Sequence, residues 1–349
     1  KHIHVSSELK YQENIEHFKK SGSSSIINTS LLINNLIGLA CISPNIINFI
    51  LNILTYDDRE EIYSTRAKDI QWAAGKNISK LNKILANNGI NLVGIYKDGN
   101  SSNISTSPEI KRTKEFSPLI CQHEFTGNIG HDDILLHISN DNEDIINIQN
   151  HESCDSLKSE IETISWSQLE GENKKRVLLV GDFKRCVKVQ DFLKSSYSLF
   201  ERISILVSND DHNIEESNII KGSLSDELCW EKAGVYNADY ILVLTKENNL
   251  SSSPSHELNN SVDSKSMILV NFARQMLNKI NEKQSDKTLI IAEMYDSANK
   301  DLFDSVGVDI LVPINTIISR MLSKTIYSKG LAWDYIFSFF NNESTYVAH

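Results

Sequence analysis

The chain has 349 residues, of which 40% are hydrophobic, so it is long enough for two domains with separate cores. Its formal net charge of -11 at pH 7 argues against a nucleic-acid binder or an anionic-lipid binder, because both need a basic face. The negative charge fits cations and other proteins as partners better than it fits nucleic acids or anionic lipids. The five cysteines form no Cys-x-x-Cys pair, which is typical of reduced thiols in a cytosolic protein.

The amino-terminal segment of the chain recurs near the carboxyl end. Residues 4–54 align without gaps on residues 289–339, and the apolar pattern is preserved although few residues are identical. Each copy predicts a strand, a helix, a strand, a long helix, a turn and another helix. Because the first copy begins at the late strands of such a unit, we expect the sequence to be a fragment whose missing amino-terminal part completes the sheet.

The apolar segment Ile26 to Leu54 is the one candidate for a membrane span, but we predict that it is not one. It contains Pro44 and six asparagines, whose amides are costly in hydrocarbon. Its second copy carries Arg320 and Lys324, which also oppose a span.

The two copies contain more apolar helical surface than one sheet covers. We therefore expect the long helices, residues 30–42 and 315–328, to swap onto a neighbouring sheet unit. The segments that follow them, residues 46–54 and 331–340, are expected to swap with them.

The middle of the chain predicts a small lobe of short elements. Helical stretches are expected within residues 67–86 and strands within 91–99 and 132–138. Polar, Ser- and Asn-rich composition predicts a loop at 100–117, a linker between domains after residue 139, and a mobile surface loop at 248–263.

The stretch from Lys174 to Glu247 alternates strands with helices. The run Arg176–Val180 is continuously apolar after its first residue, as a strand buried on both faces should be, and Gly181 ends it. Further strands are predicted at 203–207, 219–220 and 240–244, with helices at 186–193 and 226–233. This order predicts an α/β protein with a doubly wound parallel sheet.

The amino-acid sequence of several segments resembles one family, the RCK (TrkA-N/TrkA-C-like) regulatory domains of potassium and cation channels and transporters. These segments are Val177–Gly181, Lys221–Ser223, Ala233–Thr245, Leu289–Met294, Asn299–Gly307 and Asp309–Pro313. Gly130–Leu135 resembles the closing strand of the family's small lobe, and the chain as a whole is most similar to the CASTOR/POLLUX-type ion channels.

The resemblance implies Rossmann-like doubly wound parallel sheet units with crossover helices, plus a small β-rich (α+β) lobe. The chain would then divide into the late strands and crossover helices of a truncated first unit (1–65), a small α+β lobe (66–140), a linker (141–173), a second Rossmann-like domain (174–319) and its crossover helices (320–349).

A dinucleotide site needs glycines where a helix begins, so that backbone amides approach the pyrophosphate. Here the three glycine positions are Gly181, Phe183 and Cys186, and only the first is glycine. The candidate cofactor-binding residues form a degenerate set: Gly181, Asp182, Ser208, Asn209 and Asp210. We therefore expect no tight NAD binding.

Glu8 and Glu293 follow a buried strand at the same place in each copy. Each could cap neighbouring backbone, or could belong to a ligand site, because open α/β sheets bind at that edge. Asp210, Asp211 and Glu293 are candidate oxygen ligands for calcium or another cation. The sequence has no Ser-His-Asp order, P-loop or His-Glu-x-x-His, so we expect no enzyme activity.

The resemblance implies a cytosolic, gating-ring type module that senses a ligand or ion and regulates a potassium or other cation channel. It implies pairing with other copies of the chain in a tetrameric ring, a missing amino-terminal transmembrane pore, and a place at the cytosolic face of a membrane, with no nucleic-acid partner. Two alternatives stay open: a nicotinamide-dependent oxidoreductase on the same sheet, and a detached TrkA-like regulatory subunit of a potassium transporter.

Overall fold

The computed structural model describes most of the chain, and the structural statements below concern its described part. The described residues are 5–23, 25–55, 61–70, 72–97, 120–121, 127–141, 143–148, 174–196, 200–208, 217–245, 256–279 and 288–327. The chain divides into two compact units. The first comprises residues 1–28, 49–163 and 320–349, and the second comprises residues 29–48 and 164–319.

The amino-terminal elements form a short parallel sheet and helices. The strands are β1 (Ser6–Leu9) and β2 (Ser25–Asn28), and the helices are α1 (Ile15–Lys20), α2 (Thr29–Ile42) and α3 (Ile46–Leu54). Twelve of the fourteen residues of α2 are buried, which is why its sequence is apolar around most of its circumference.

Of these elements α2 belongs to the second unit, whereas the first unit contains β1, β2 and the predicted small lobe. The elements of the lobe are β3 (Glu61–Arg66), α4 (Ile78–Asn87), β4 (Asn91–Tyr96), β5 (Ile120–Cys121) and β6 (Ile134–Ser139). The four strands form an antiparallel sheet in the order β3-β6-β4-β5. Helix α4 begins after Asn77, whose side chain accepts a hydrogen bond from the backbone N–H of Ser79. Its apolar face contributes Leu81, Ile84 and Leu85 to the core of the lobe.

The second unit contains a six-stranded parallel sheet. The elements of residues 174–327 in chain order are β7 (Lys175–Gly181), α5 (Phe183–Ser196), β8 (Phe200–Val207), β9 (Ile219–Lys221), α6 (Glu227–Ala233), β10 (Tyr240–Leu244), α7 (His256–Asn278), β11 (Leu289–Met294), α8 (Lys300–Val306), β12 (Ile310–Pro313) and α9 (Ile314–Tyr327). Helix α9 belongs to the second unit up to residue 319 and to the first unit from residue 320. The strand order is β12-β11-β10-β7-β8-β9, so the order reverses between β7 and β10, as in a doubly wound sheet. Trp230, Val270 and Phe303 lie in a core that packs on this sheet. The predicted α/β fold class is confirmed.

The internal repeat is preserved in three dimensions. Strand β2 and helix α2 have the same bounds as β12 and α9 after the sequence offset is applied, residue 4 corresponding to residue 289. The strand pairing has the same register, since Ser6 lies opposite Ser25 in the first copy and Ile291 lies opposite Ile310 in the second. Both copies therefore build the same local structure.

Two of the predicted domain boundaries, 65/66 and 140/141, fall within the small lobe. The division at 65/66 falls inside β3, which pairs with β6 along its whole length and belongs to the lobe. The linker predicted at 141–173 begins too early, because Ile145 and Ile148 pack in the core of the lobe. The predicted division at 319/320 lies inside α9 and coincides with the division between the two compact units. Only residues 141 and 143–148 of the predicted linker are described.

The surface loop predicted at residues 248–263 is wrong from His256 onward, where α7 begins. Asn and Ser have low helix propensity, which favoured a loop. Burial overrides this preference, because Val270, Ala273 and Met276 of the same helix are buried against the sheet. In the described part of the chain, no helix is long and apolar enough to cross a membrane.

Candidate functional site

The carboxyl ends of β7 and β10 meet where the strand order reverses, which is the usual ligand-binding edge of such a sheet. Gly181 ends β7 with a φ of 130°. A Cβ there would lie 2.0 Å from the carbonyl oxygen of Leu244, so only glycine fits. The next backbone N–H, that of Asp182, donates to the same carbonyl at 2.7 Å. The two strand ends are therefore tied together directly.

The amino end of α5 is capped by a carboxylate of the chain itself. Asp182 Oδ1 accepts a hydrogen bond from the backbone N–H of Arg185 at 3.1 Å. Phe183, at the second glycine position, is the first residue of α5 and is buried. Cys186, at the third, is fully buried in the same helix. A pyrophosphate at this helix end would meet the Asp182 carboxylate and the Phe183 side chain instead of bare backbone.

Arg185 points from α5 into the interior and is only 4% exposed. Its Nη1 and Nη2 each donate to one carboxylate oxygen of Glu293, at the end of β11. Nη1 also donates to the backbone oxygen of Thr245, which follows β10, at 3.1 Å. Nε and Nη2 both donate to Asn34 Oδ1 of α2, at 3.2 and 3.0 Å. A guanidinium has five N–H groups, and these contacts use all five.

The resulting cluster, named here the Arg185 cluster, consists of Arg185, Glu293, Asn34 and the Thr245 carbonyl. A bidentate arginine–carboxylate pair is geometrically specific, and burial makes it costly to break because one charge would stay unpaired. The cluster occupies the strand edge where a ligand would otherwise be expected. It also binds α2 to the sheet.

Helix α2 packs on α5 around the cluster. Gly38 lies one turn beyond Asn34 on the same face of α2. A Cβ on Gly38 would lie 2.4 Å from Cδ1 of the Phe192 ring, so the absent side chain is what allows the close approach. This is the packing onto a neighbouring sheet unit that the sequence predicted for residues 30–42. Residues 331–340, which the same prediction covers, lie outside the described part.

The predicted site residues are only partly described. Gly181 and Asp182 lie at the strand edge, and half-buried Ser208 follows β8, the strand next to β7. Asn209, Asp210 and Asp211 lie outside the described residues. Asn209 and Asp210 belong to the predicted cofactor site, and Asp210 and Asp211 belong to the predicted cation site. Both sites therefore stay predictions.

Glu293 is the one member of the predicted cation set that the structure describes. Both of its carboxylate oxygens accept hydrogen bonds from Arg185, and its burial is nearly complete. Glu8, the matching residue of the first copy, is exposed on β1. Within the described residues, no group of three or more His, Cys, Asp or Glu side chains is arranged to hold a metal ion.

Sequence reasoning missed Arg185 and Asn34 as functional residues. The sequence pattern assigns no role to Arg185, and Asn34 is one of the six asparagines that oppose a membrane span. A usable signal was present. Arg185 lies in the first turn of a helix, two positions after Phe183 and directly before Cys186 and Val187, and a charge that faces such apolar residues requires a partner.

A second buried ion pair lies in the first unit. Lys324 Nζ of α9 donates to Glu61 Oε2 of β3, and both side chains are largely buried. The same amine lies 5.8 Å from the centroid of the Tyr63 ring. Arg320 Nη1 donates to the backbone oxygen of Leu51 at 3.3 Å. The long helix of the second repeat is therefore also held by charged groups.

Comparison with protein families identifies one segment. Residues 201–314 match the TrkA-N domain. The predicted resemblance to RCK (TrkA-N-like) domains is thereby confirmed for this segment, which covers β8 through β12. The narrower resemblance to CASTOR/POLLUX-type channels stays a prediction. Comparison with curated protein sequences finds no match.

Solved structures resemble almost the whole chain. The human SLO3 gating ring matches with a TM-score of 0.58 at 12% identity, covering 97% of this chain and 66% of that one. The GsuK RCK domain matches with a TM-score of 0.43 at 13% identity over 95% of this chain and 58% of that one. The TrkA-N domain of the Escherichia coli inner membrane protein YbaL matches 44% of this chain, and 97% of its own, with a TM-score of 0.30 at 15% identity. The chain thus spans between about half and two thirds of the gating-ring and channel structures it matches.

Proposed function

We propose that the chain is a cytosolic regulatory module, of the gating-ring type, for a potassium or other cation channel. The observation that carries the proposal is the Arg185 cluster, which binds α2, a helix of the first repeat, to the sheet that contains the TrkA-N segment. The fold shared with the human SLO3 gating ring supports it. A conformational change at this edge of the sheet would therefore act on α2 through these hydrogen bonds.

The mechanism follows from the contacts. Helix α2 begins at Thr29, directly after β2 ends at Asn28, so a movement of α2 is transmitted along the chain to β2. Release of α2 would remove Asn34 Oδ1, the shared acceptor of the buried Arg185 Nε and Nη2 donors, and leaving buried donors unpaired is costly, so we expect α2 to be either bound or released. A ligand or ion that binds more tightly to one of these two states of α2 shifts the equilibrium between them. The resulting conformational change is transmitted to the pore as strain.

The site favours regulation over catalysis. Asp182 already caps α5, and Arg185 has no remaining donor for a substrate phosphate. We therefore assign no enzyme activity and no tightly bound NAD. A cation at Asp210, Asp211 and Glu293 would have to compete with Arg185 for the Glu293 carboxylate, so cation binding at that site would release the guanidinium.

The proposal includes partners and a location. Other copies of the chain would form a ring, tetrameric in the whole protein, and a transmembrane pore would receive the conformational change at the cytosolic face of a membrane. The net charge of -11 fits cation handling and opposes nucleic-acid binding.

Recording ionic currents from cells that express the full-length gene product tests the proposal. We expect potassium-selective or cation-selective currents whose open probability changes when residues 174–319 are deleted. The single-channel conductance should stay unchanged, because the pore is elsewhere. Oxidation of NADH or NADPH by the purified chain, with no current from the full-length product, would establish the oxidoreductase alternative instead.

A detached TrkA-like subunit of a potassium transporter shares the TrkA-N match and is the second candidate. It differs in one measurable respect. Currents or potassium uptake would then require a second, separately encoded membrane protein, and expression of this gene product alone would give neither.

A further inference from the structure

A cavity opens at the opposite, amino-terminal edge of the six-stranded sheet. Its volume is about 180 Å³, and it lies between the first residues of β7 and β8 and the end of α6. Its floor includes Val177, Leu178 and Ser204, all of them buried. Pockets for drug-sized ligands have volumes of roughly 300 to 1,000 Å³, so an occupant of this cavity must be small.

The rim carries charged groups that a strand irregularity brings together. Lys175 lies opposite Phe200 and Arg176 lies opposite Arg202, so Glu201 is an extra residue in β8, as in a β-bulge. Neighbouring residues of a regular strand face opposite sides, whereas a bulge re-aims them. As a result Glu201 and Arg202 both line the cavity. Bulges of this kind are enriched beside functional sites.

The charges on the rim are not balanced. Arg176 Nε donates to Glu201 Oε2 at 2.9 Å, so these two opposite charges are paired. In the described part of the chain, the Arg202 guanidinium has neither an ion-pair partner nor a hydrogen-bond partner. One planar group with five N–H donors therefore lines a small cavity. A carboxylate matches that geometry with two parallel hydrogen bonds.

We propose that this cavity binds a small organic monocarboxylate. Its carboxylate pairs with Arg202, and its short hydrocarbon part occupies the cavity. The Glu201 carboxylate disfavours multiply charged anions, because a second negative charge would be held close to it. The Arg185 cluster fills the usual ligand edge, so a sensed small molecule needs another place on this sheet. That regulatory role rests on the proposed function, whereas the binding itself does not.

Ligand-observed NMR titration of the purified full chain with butyrate tests the proposal. We expect saturable butyrate binding that weakens about tenfold or more in Arg202→Gln, equivalent to about 1.4 kcal/mol. Arg66→Gln is the matched control, because Arg66 is an exposed arginine at the end of another strand, and it should bind butyrate as the unmodified chain does. Glu201→Gln should bind phosphate more tightly than the unmodified chain.

Three results would overturn the proposal: no saturable butyrate binding to the unmodified chain, equal affinity for butyrate and inorganic phosphate, or equal affinity for butyrate and butan-1-ol. Unchanged binding in Arg202→Gln would overturn it as well. None of these results depends on ionic current, so failure of this site and failure of the channel proposal are distinguishable.

Discussion

Asn34 Oδ1 accepts two hydrogen bonds from the Arg185 guanidinium, at 3.0 and 3.2 Å, although the two residues are 151 positions apart in the chain. This relationship joins a helix of the first repeat to the strand edge of the second unit. The amide is 2% exposed, so water does not compete freely for these bonds. Both the packing of α2 and the closure of the ligand edge depend on the same guanidinium.

The first prediction concerns the buried pair of Arg185 and Glu293. Arg185→Leu leaves a buried carboxylate without its partner and should reduce the free energy of opening the second unit by about 3 to 5 kcal/mol. Arg185→Leu with Glu293→Leu should lose much less than the sum of the single changes, because no buried charge remains. Native-state hydrogen exchange of the β7 and β10 amides measures both. Additive losses would contradict the coupling.

The second prediction concerns the contact between α2 and α5. Gly38→Ala raises intrinsic helix propensity by up to about 1 kcal/mol. It places a methyl group against the Phe192 ring, however, so we expect a lower melting temperature by calorimetry. Phe192→Leu in the same chain should recover part of the loss. If Gly38→Ala raised the melting temperature, the helices would not be in the close contact described here.

The third prediction concerns dinucleotides at the end of β7. Because Asp182 caps α5 and Phe183 occupies the second glycine position, calorimetric titration with NADH or NADPH should show no tight binding. Phe183→Gly with Cys186→Gly tests whether the remaining geometry is still that of a cofactor site, and a gain in NAD affinity would show that it is. Tight binding to the unmodified chain, with protection of the amides of residues 181–187, would favour the oxidoreductase.

The fourth prediction concerns pH and His137, which is fully buried in β6. Ser139 Oγ donates to the backbone oxygen of Asp141, so it accepts from His137 Nδ1, at 3.1 Å. Nε2 then accepts from Thr65 Oγ1 at 3.0 Å, which describes a neutral ring. Burial lowers the pKa of His137 to about 4, and the nearby Asp144 carboxylate only partly opposes the shift.

The sign of the effect follows from the two protonation states. The unfolded chain binds a proton as the pH falls below 6.5, whereas folded His137 does so only near pH 4. Stability should therefore fall as the pH is lowered through this window, by on the order of 3 kcal/mol. Urea unfolding of the lobe at several pH values measures this, and His137→Gln should flatten the dependence. His131→Gln, at an exposed histidine, should leave it unchanged, and an equal flattening there would refute the assignment.

Much of the fold was predictable from local sequence. The apolar run at residues 240–244 predicted the bounds of β10, because a strand buried on both faces leaves a continuous hydrophobic signal, and the family resemblance predicted those of β11. The internal repeat predicted β2 and α2 from their second copies. Helix α7 was missed at its start, since its Asn and Ser residues favour a loop until tertiary packing is considered.

The Arg185 cluster was less predictable for a physical reason. The partners of Arg185 lie 108 and 151 positions away, and no local pattern links them. Gly181 was recognisable because a turn after a strand has a sequence signature, whereas a buried arginine is defined by its acceptors. The β-bulge at Glu201 likewise depends on the register of two strands and leaves no mark in either segment alone.

The most direct test of the account is the current carried by the full-length gene product with Asn34→Ala. Removing the amide takes two hydrogen bonds from a buried guanidinium, which should release α2 and shift the balance between the open and closed channel. Asn48→Ala, at an exposed asparagine of α3, is the matched control.

We predict an altered open probability in Asn34→Ala, with unchanged single-channel conductance, and currents like those of the unmodified protein in Asn48→Ala. Increased hydrogen exchange confined to the α2 amides would show that α2 is released while the sheet stays folded. An unchanged open probability in Asn34→Ala, with α2 demonstrably released, would contradict the claim that the docking of this helix regulates the pore.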